Sequence, residues 1–107
     1  MKLIIAIVNH DDANAVTRAL TQAGFSSTKL STTGGFLMAG NATILIGVDE
    51  EKVQQVIDVI RDHSFSRKQM IPTTTDMSYG YYPSMPVEVT VGGATVFVVD
   101  VERFERL

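Results

Sequence analysis

Twice along this chain a strand-length apolar run is followed at once by the three- and four-residue spacing of an amphipathic helix, and that pairing leaves few folds open. The first pair is Leu3-Ile4-Ile5-Ala6-Ile7-Val8 followed by Ala13, Val16, Leu20 and Ala23. The second is Ala42 to Val48 followed by Val53, Val56, Ile57 and Ile60. A run of six or seven apolar residues suits a buried strand, and the spacing that follows puts one apolar stripe on a helix. Asp11 or Asp12 is placed to cap the first helix and Gly24 to end it. Asp49-Glu50-Glu51 puts acids in the first turn of the second helix, where the helix dipole favours them, and that helix should end near His63.

Phe25 to Thr32 is rich in hydroxyl and β-branched residues and reads as a further strand. Val87 to Val91 and Ala94 to Val99 alternate as strands do, and Gly92-Gly93 between them predicts a hairpin turn. The order is β-α-β-β-α-β with one extra strand. That is an α+β, ferredoxin-like arrangement, with helices on one face of an antiparallel sheet. With 107 residues, 45% of them hydrophobic, the chain builds one small core and a single domain over 1–107. The sheet face away from the helices needs a cover, which subunits packing their sheets inward would supply.

Two connectors stand apart. Thr33 to Asn41 is short and turn-rich. Ser64 to Pro86 is long, fits neither period, and carries all three prolines and all three tyrosines (Tyr79, Tyr81 and Tyr82). Long irregular segments inside a small domain are usually functional or disordered, and aromatic content argues for a loop that docks on something.

The bulk chemistry excludes more than it selects. The chain has no cysteine, so disulfides, thiolate metal sites and cysteine nucleophiles are out. The apolar opening is too short to span a bilayer, and Asn9-His10-Asp11-Asp12 stands where a signal peptide needs small residues, so a cytoplasmic protein not embedded in a membrane is expected. Nine Lys and Arg against twelve Asp and Glu give a net charge of -3, which on average repels nucleic acid. A small anionic ligand remains compatible, because backbone amides hold phosphates without a basic surface.

No catalytic constellation is visible. His10 and His63 lack a Ser, Cys or Glu at a spacing with a mechanism, so no enzyme is expected. His10-Asp11-Asp12 reads as a helix start and not as a metal site, and no cofactor is implied. Thr32-Thr33-Gly34-Gly35-Phe36-Leu37 is the segment with chemistry to offer. Adjacent glycines turn backbone N–H groups into a nest for a phosphate, and Phe36 and Leu37 beside them could cover a base. An ordinary hairpin loop packed on a neighbouring subunit is the other reading. Thr28 and Asn41 can each donate and accept, as recognition of an adenine edge requires, and Gly47 in an apolar strand leaves room for a planar group.

Met1 to Val8, Thr28-Lys29-Leu30-Ser31-Thr32-Thr33-Gly34-Gly35-Phe36-Leu37 with Gly40-Asn41, Pro86-Val87-Glu88-Val89 and Val91-Gly92-Gly93-Ala94-Thr95-Val96-Phe97-Val98 together resemble the bacterial PII-like cyclic-di-AMP receptor proteins, over almost the whole chain. The resemblance implies a homotrimer of ferredoxin-like subunits with cyclic-di-AMP in each cleft between neighbours. It also implies a short T-loop over 33–41 and a long B-loop over 64–86. Thr28, Asn41 and the Gly47 backbone would recognise an adenine, Gly35, Phe36 and Leu37 would meet the phosphoribose ring, and Phe97 would come from the adjacent subunit. Two positions depart from the pattern: Ser26 stands where several members have a basic residue, and Arg106 where they have glutamine. On this reading the protein is a second-messenger receptor that orders its loops on binding and passes the signal to an unknown downstream protein. The alternative is a nucleotide-independent trimeric adaptor whose long loop binds a protein.

Overall fold

Seven consecutive residues of the first strand, Leu3 to Asn9, alternate between half-buried and buried, as expected of a strand packed more deeply on one face than on the other. In the computed structural model, which describes residues 1–30, 40–71 and 87–107, this is β1 (Lys2–Asn9). After it come α1 (His10–Gln22), β2 (Thr28–Leu30), β3 (Asn41–Val48), a short helical turn at Glu50–Lys52, α2 (Val53–Ser64), β4 (Arg67–Ile71), β5 (Val87–Val91) and β6 (Ala94–Asp100). β1, β2, β3 and β6 form one antiparallel sheet in the order β2-β3-β1-β6. That order, with two helices, is compatible with the ferredoxin-like arrangement.

The even-numbered side chains of β1 and β3 build the core. Ile4 stands opposite Ile46, Ala6 opposite Ile44 and Val8 opposite Ala42. All six are buried, as are Ala13, Val16 and Leu20 of α1 and Val56 and Ile60 of α2. Each large aliphatic side chain removed from water here contributes roughly 1.5–3 kcal/mol before entropy is counted.

Helix α1 starts earlier than the acids suggest, its cap lying two residues before Asp11 and three before Asp12. The cap is Asn9, in extended conformation, whose Oδ1 accepts the N–H of Asp11 at 2.9 Å. Neither Asp11 nor Asp12 caps; both sit in the first turn, and Asp12 is turned inward and buried. The expected end at Gly24 holds. Gly24 takes φ +91°, its N–H reaches the Thr21 carbonyl at 3.0 Å, and the Phe25 N–H reaches Leu20 at 2.9 Å. These two hydrogen bonds close the last turn in the left-handed geometry that glycine adopts without strain.

Two expectations need correction. β5 and β6 are not a hairpin: β5 pairs with β4 in a separate two-stranded sheet, while β6 pairs with β1. Gly92 therefore serves close approach as well as turning. A Cβ on it would lie 2.7 Å from the Phe65 carbonyl oxygen and 2.6 Å from Arg67 Nη1, and its φ is +80°. The second correction concerns the segment from Ser64 onward. Ser64 belongs to α2, and Arg67–Ile71 is a strand whose partner is β5, with Arg67 opposite Val91 and Met70 opposite Glu88. Arg-Lys-Gln-Met-Ile has no apolar alternation, so its strand character depends on pairing with Val-Glu-Val-Thr-Val and is invisible locally. The remainder of that connector, with Tyr79, Tyr81 and Tyr82, lies outside the described residues. So do Gly35, Phe36 and Leu37. Among the described residues, no helix is long and apolar enough to cross a membrane.

Candidate functional site

The odd-numbered side chains point to the other face of the sheet, which no second layer of the described residues covers. Leu3, Ile5, Ile7 and Leu45 are only half-buried there. Phe97 is 52% exposed and Val99 41%. Exposed apolar area on this scale, continuous across strands, marks a contact or binding surface.

Register fixes where the predicted ligand residues fall on that face. Thr28 lies opposite Leu45, Leu45 opposite Ile5, and Ile5 opposite Phe97. These four therefore form one row across the whole sheet. With neighbouring strands about 4.8 Å apart, Thr28 and Phe97 end that row about 14 Å from each other. Gly47 is exposed in the next row on the same face, opposite Leu3. A Cβ built on Gly47 would meet nothing within 4 Å, so the bare backbone fronts open space that a flat group could occupy. Ser26, exposed, lies just beyond the paired part of β2 on the Gly47 side.

Asn41 shares this face but opens β3, four residues before Leu45, about 13 Å along the strand. It stands opposite Asn9. Beside it is a hollow of about 300 Å³ whose polar lining comes from Asn9, Asn41, the Gly92-Gly93 backbone and Thr95. Arg106 is exposed in the segment after β6, which leaves the sheet from the end where Val101 N–H bonds the Met1 carbonyl at 3.2 Å. That is the Gly47 end. The structure thus gathers Ser26, Thr28 and Gly47 at one corner, puts Asn41 at the opposite end of β3, and holds Phe97 at the far edge.

Asn9, Gly92, Gly93 and Thr95 were not singled out as site residues by sequence. Asn9 is a helix cap by pattern, and the glycines look like a turn. What could have pointed to them is the strand register, which places the β1 and β6 ends beside Asn41. Asp12, read as helix-start charge, makes a two-bonded ion pair with Arg67, at 3.0 Å from Nη2 to Oδ1 and 3.3 Å from Nη1 to Oδ2. Among the described residues no group of His, Cys, Asp or Glu could hold a metal ion.

Comparison with known proteins identifies the family. A family model described as "Cyclic-di-AMP receptor" matches residues 1–107. Among solved structures, a crystal structure of a functionally unknown protein from Pediococcus pentosaceus ATCC 25745 is similar, with 42% sequence identity and a TM-score of 0.75. The likeness covers 99% of this chain and 96% of that one, so it extends over the whole domain.

Proposed function

Because the chain belongs to the cyclic-di-AMP receptor family along its full length, we propose that it binds cyclic-di-AMP in clefts between the subunits of a homotrimer and relays binding through its loops. Family membership fits cyclic-di-AMP as the ligand. The intersubunit location draws its support from one observation: Thr28 and Phe97 end the same row at opposite edges of an apolar face that no second layer of the described residues covers. One subunit cannot close both around a single base. Subunits meeting edge to edge in a closed ring bring the Phe97 of one to the Thr28 of the next and turn the apolar faces inward, where they cover one another.

In this reading Thr28 and the Gly47 backbone recognise one adenine, and Phe97 covers a base from the neighbouring subunit; Asn41, about 13 Å along β3 from the Thr28 row, is too far to share that adenine as the resemblance implies and contacts a more distant part of the ligand. Gly35, Phe36 and Leu37 meet the phosphoribose ring, with Ser26 and Arg106 at the margin. A ring bearing two negative phosphates gains from backbone amide donors, which offset the cost of taking its charges out of water, so a net charge of -3 does not oppose it. The protein acts in the cytoplasm by binding, without catalysis, and a downstream protein reads the ordered loops.

The test is a thermal melt of the purified protein with excess cyclic-di-AMP, with cyclic-di-GMP and ATP as controls, alongside sedimentation to fix the subunit number. Ligand at about 100 times its dissociation constant adds about 2.7 kcal/mol, a rise of several degrees. A rise with cyclic-di-AMP alone, lost in Asn41→Ala, is the expected result. No rise with any nucleotide sinks the receptor reading and leaves a protein-binding adaptor in its place.

A further inference from the structure

The turn from β1 into α1 touches both the strand that carries Asn41 and the base of the separate β4–β5 ribbon. On one side, Asn9 stands opposite Asn41 in the sheet, and the His10 N–H bonds the Gly40 carbonyl. On the other side, one turn into α1, Asp12 holds Arg67 at the first residue of β4 through both carboxylate oxygens. Asp12 is only 7% exposed. The same guanidinium reaches back to the Phe65 carbonyl at 3.4 Å. Gly92, the residue after β5, leaves no room for a side chain against this group. The Gly93 N–H bonds the Ser64 carbonyl, which ties the exit of the ribbon to the end of α2.

An arginine so placed is not surface decoration. Exposed ion pairs contribute little, whereas a two-bonded pair whose carboxylate is almost fully buried fixes an orientation and is costly to break from one side. Among the described residues the ribbon has few other ties. There it shares no strand pairing with the main sheet, and its own cross-strand pair, Lys68 with Glu88 at 3.3 Å, is exposed and internal to it.

We propose that Asp12 and Arg67 are positioning residues that set the angle of the β4–β5 ribbon from the β1–α1 turn, so that ligand contact at Asn41 is transmitted to the ribbon. The proposal rests on the receptor reading for its ligand half. Asn41 moves with Gly40 and Asn9, these with the first turn of α1, and Asp12 in that turn carries Arg67. By linkage, what loosens the ribbon also weakens the ligand's effect on it.

The experiment is amide hydrogen exchange on the full chain, with and without saturating cyclic-di-AMP, for wild type, Asp12→Asn, Arg67→Gln and the double variant. Without ligand, each single variant exchanges about tenfold faster at residues 67–71 and 87–91, with β1 and β3 unchanged, and the double variant is no faster than either single one. With ligand, wild type gains protection in the ribbon. Asp12→Asn keeps its melting rise with ligand yet loses that gain. Ligand-dependent protection that survives in Asp12→Asn overturns the proposal, as does additive behaviour of the two singles or a loss of binding of more than about tenfold. If wild type shows no ligand binding, the receptor reading fails. The ligand-free comparison then still decides whether the pair holds the ribbon. Should Asp12→Asn not fold, Arg67→Lys keeps the charge, loses the two-bonded geometry, and is expected to show a smaller change in the same direction.

Discussion

The two faces of the four-stranded sheet use the same strands for different ends. On the helix side, Ile4, Ile44, Ile46 and Val8 are shut away from water beneath α1 and α2. On the other side, Leu3, Ile5, Leu45, Phe97 and Val99 are apolar yet partly wet, and polar or bare positions (Thr28, Asn41, Gly47) are set among them. A closed face needs only volume and shape. An open face that keeps apolar area beside hydrogen-bonding groups is organised for something outside the chain. The comparison teaches that stability and recognition are separated here by strand parity, one residue apart, so single substitutions can probe either alone.

The largest effect is expected from the closed face. Ile44 is fully buried and stands opposite Ala6. Ile44→Ala leaves a cavity in the buried core and should cost about 2–5 kcal/mol, read as a large fall in melting temperature with or without nucleotide. If Ile44→Ala instead leaves the melt unchanged and removes ligand binding, the assignment of faces is inverted.

Phe97 gives the opposite pattern. Phe97→Ala on the open face should cost about 1–3 kcal/mol of cyclic-di-AMP affinity, the usual worth of a base stacked on an aromatic ring. The fold of the isolated subunit should hardly respond, because the side chain is 52% exposed in it. Titration calorimetry separates the two quantities. Mixing Phe97→Ala with Thr28→Val subunits sharpens the point: if the cleft is shared, mixed assemblies regain some intact sites, whereas neither variant alone has any. No regain would place both residues in one subunit's site, which the 14 Å row makes hard to build.

Thr28→Val removes a hydroxyl and keeps the shape. Its expected cost is about 0.5–1.5 kcal/mol of affinity, a modest rise in dissociation constant for cyclic-di-AMP. The melt without ligand should stay within about 0.5 kcal/mol of wild type, because Thr28 is exposed on an edge strand. A clear loss of stability without ligand would show that the hydroxyl serves the sheet and not the nucleotide.

Much of this division was legible before any coordinates. The apolar runs Leu3 to Val8 and Ala42 to Val48, and the helical spacing after each, locate both core helices and the two central strands, although an all-apolar run does not say which face is closed. Gly24 announced its own role, since the geometry that ends α1 is local. What failed was non-local. Val-Gly-Gly-Ala reads as a hairpin unless one knows that β5 has β4 to pair with, and β4 has no pattern of its own. Asn9 and Asp12 illustrate the same limit: a cap and an acidic first turn are each predictable, but which residue caps and which reaches Arg67, 55 positions away in sequence, depends on packing. The candidate ligand residues came from family resemblance and not from periodicity. Register then added what resemblance lacks, that Thr28 and Phe97 share a row and Asn41 does not.

The smallest expected effect concerns the edge where the two faces meet the solvent. Lys2 on β1 stands opposite Asp100 on β6 and is paired with it. The hydrogen bond from Lys2 holds the Asp100 carboxyl below its ordinary value of 3.8, and the same bond raises the Lys2 ammonium above 10.5. A carboxyl lowered on folding favours the folded state wherever it is ionised, so its contribution is present above its unfolded value and is lost as the pH falls through the lower folded one. The lysine, raised on folding, has its contribution present below its unfolded value and loses it as the pH climbs through the raised folded one. Between those limits the pair is intact, and neutral solution lies well inside them. Because Asp100 is 83% exposed, water and salt screen the pair, and Asp100→Asn should shift the melt only slightly at neutral pH and not at all in strong acid. A substitution that instead changes subunit number would reveal that Asp100, at the β6 edge, faces a neighbouring subunit, and would extend the open face's role around the rim of the sheet.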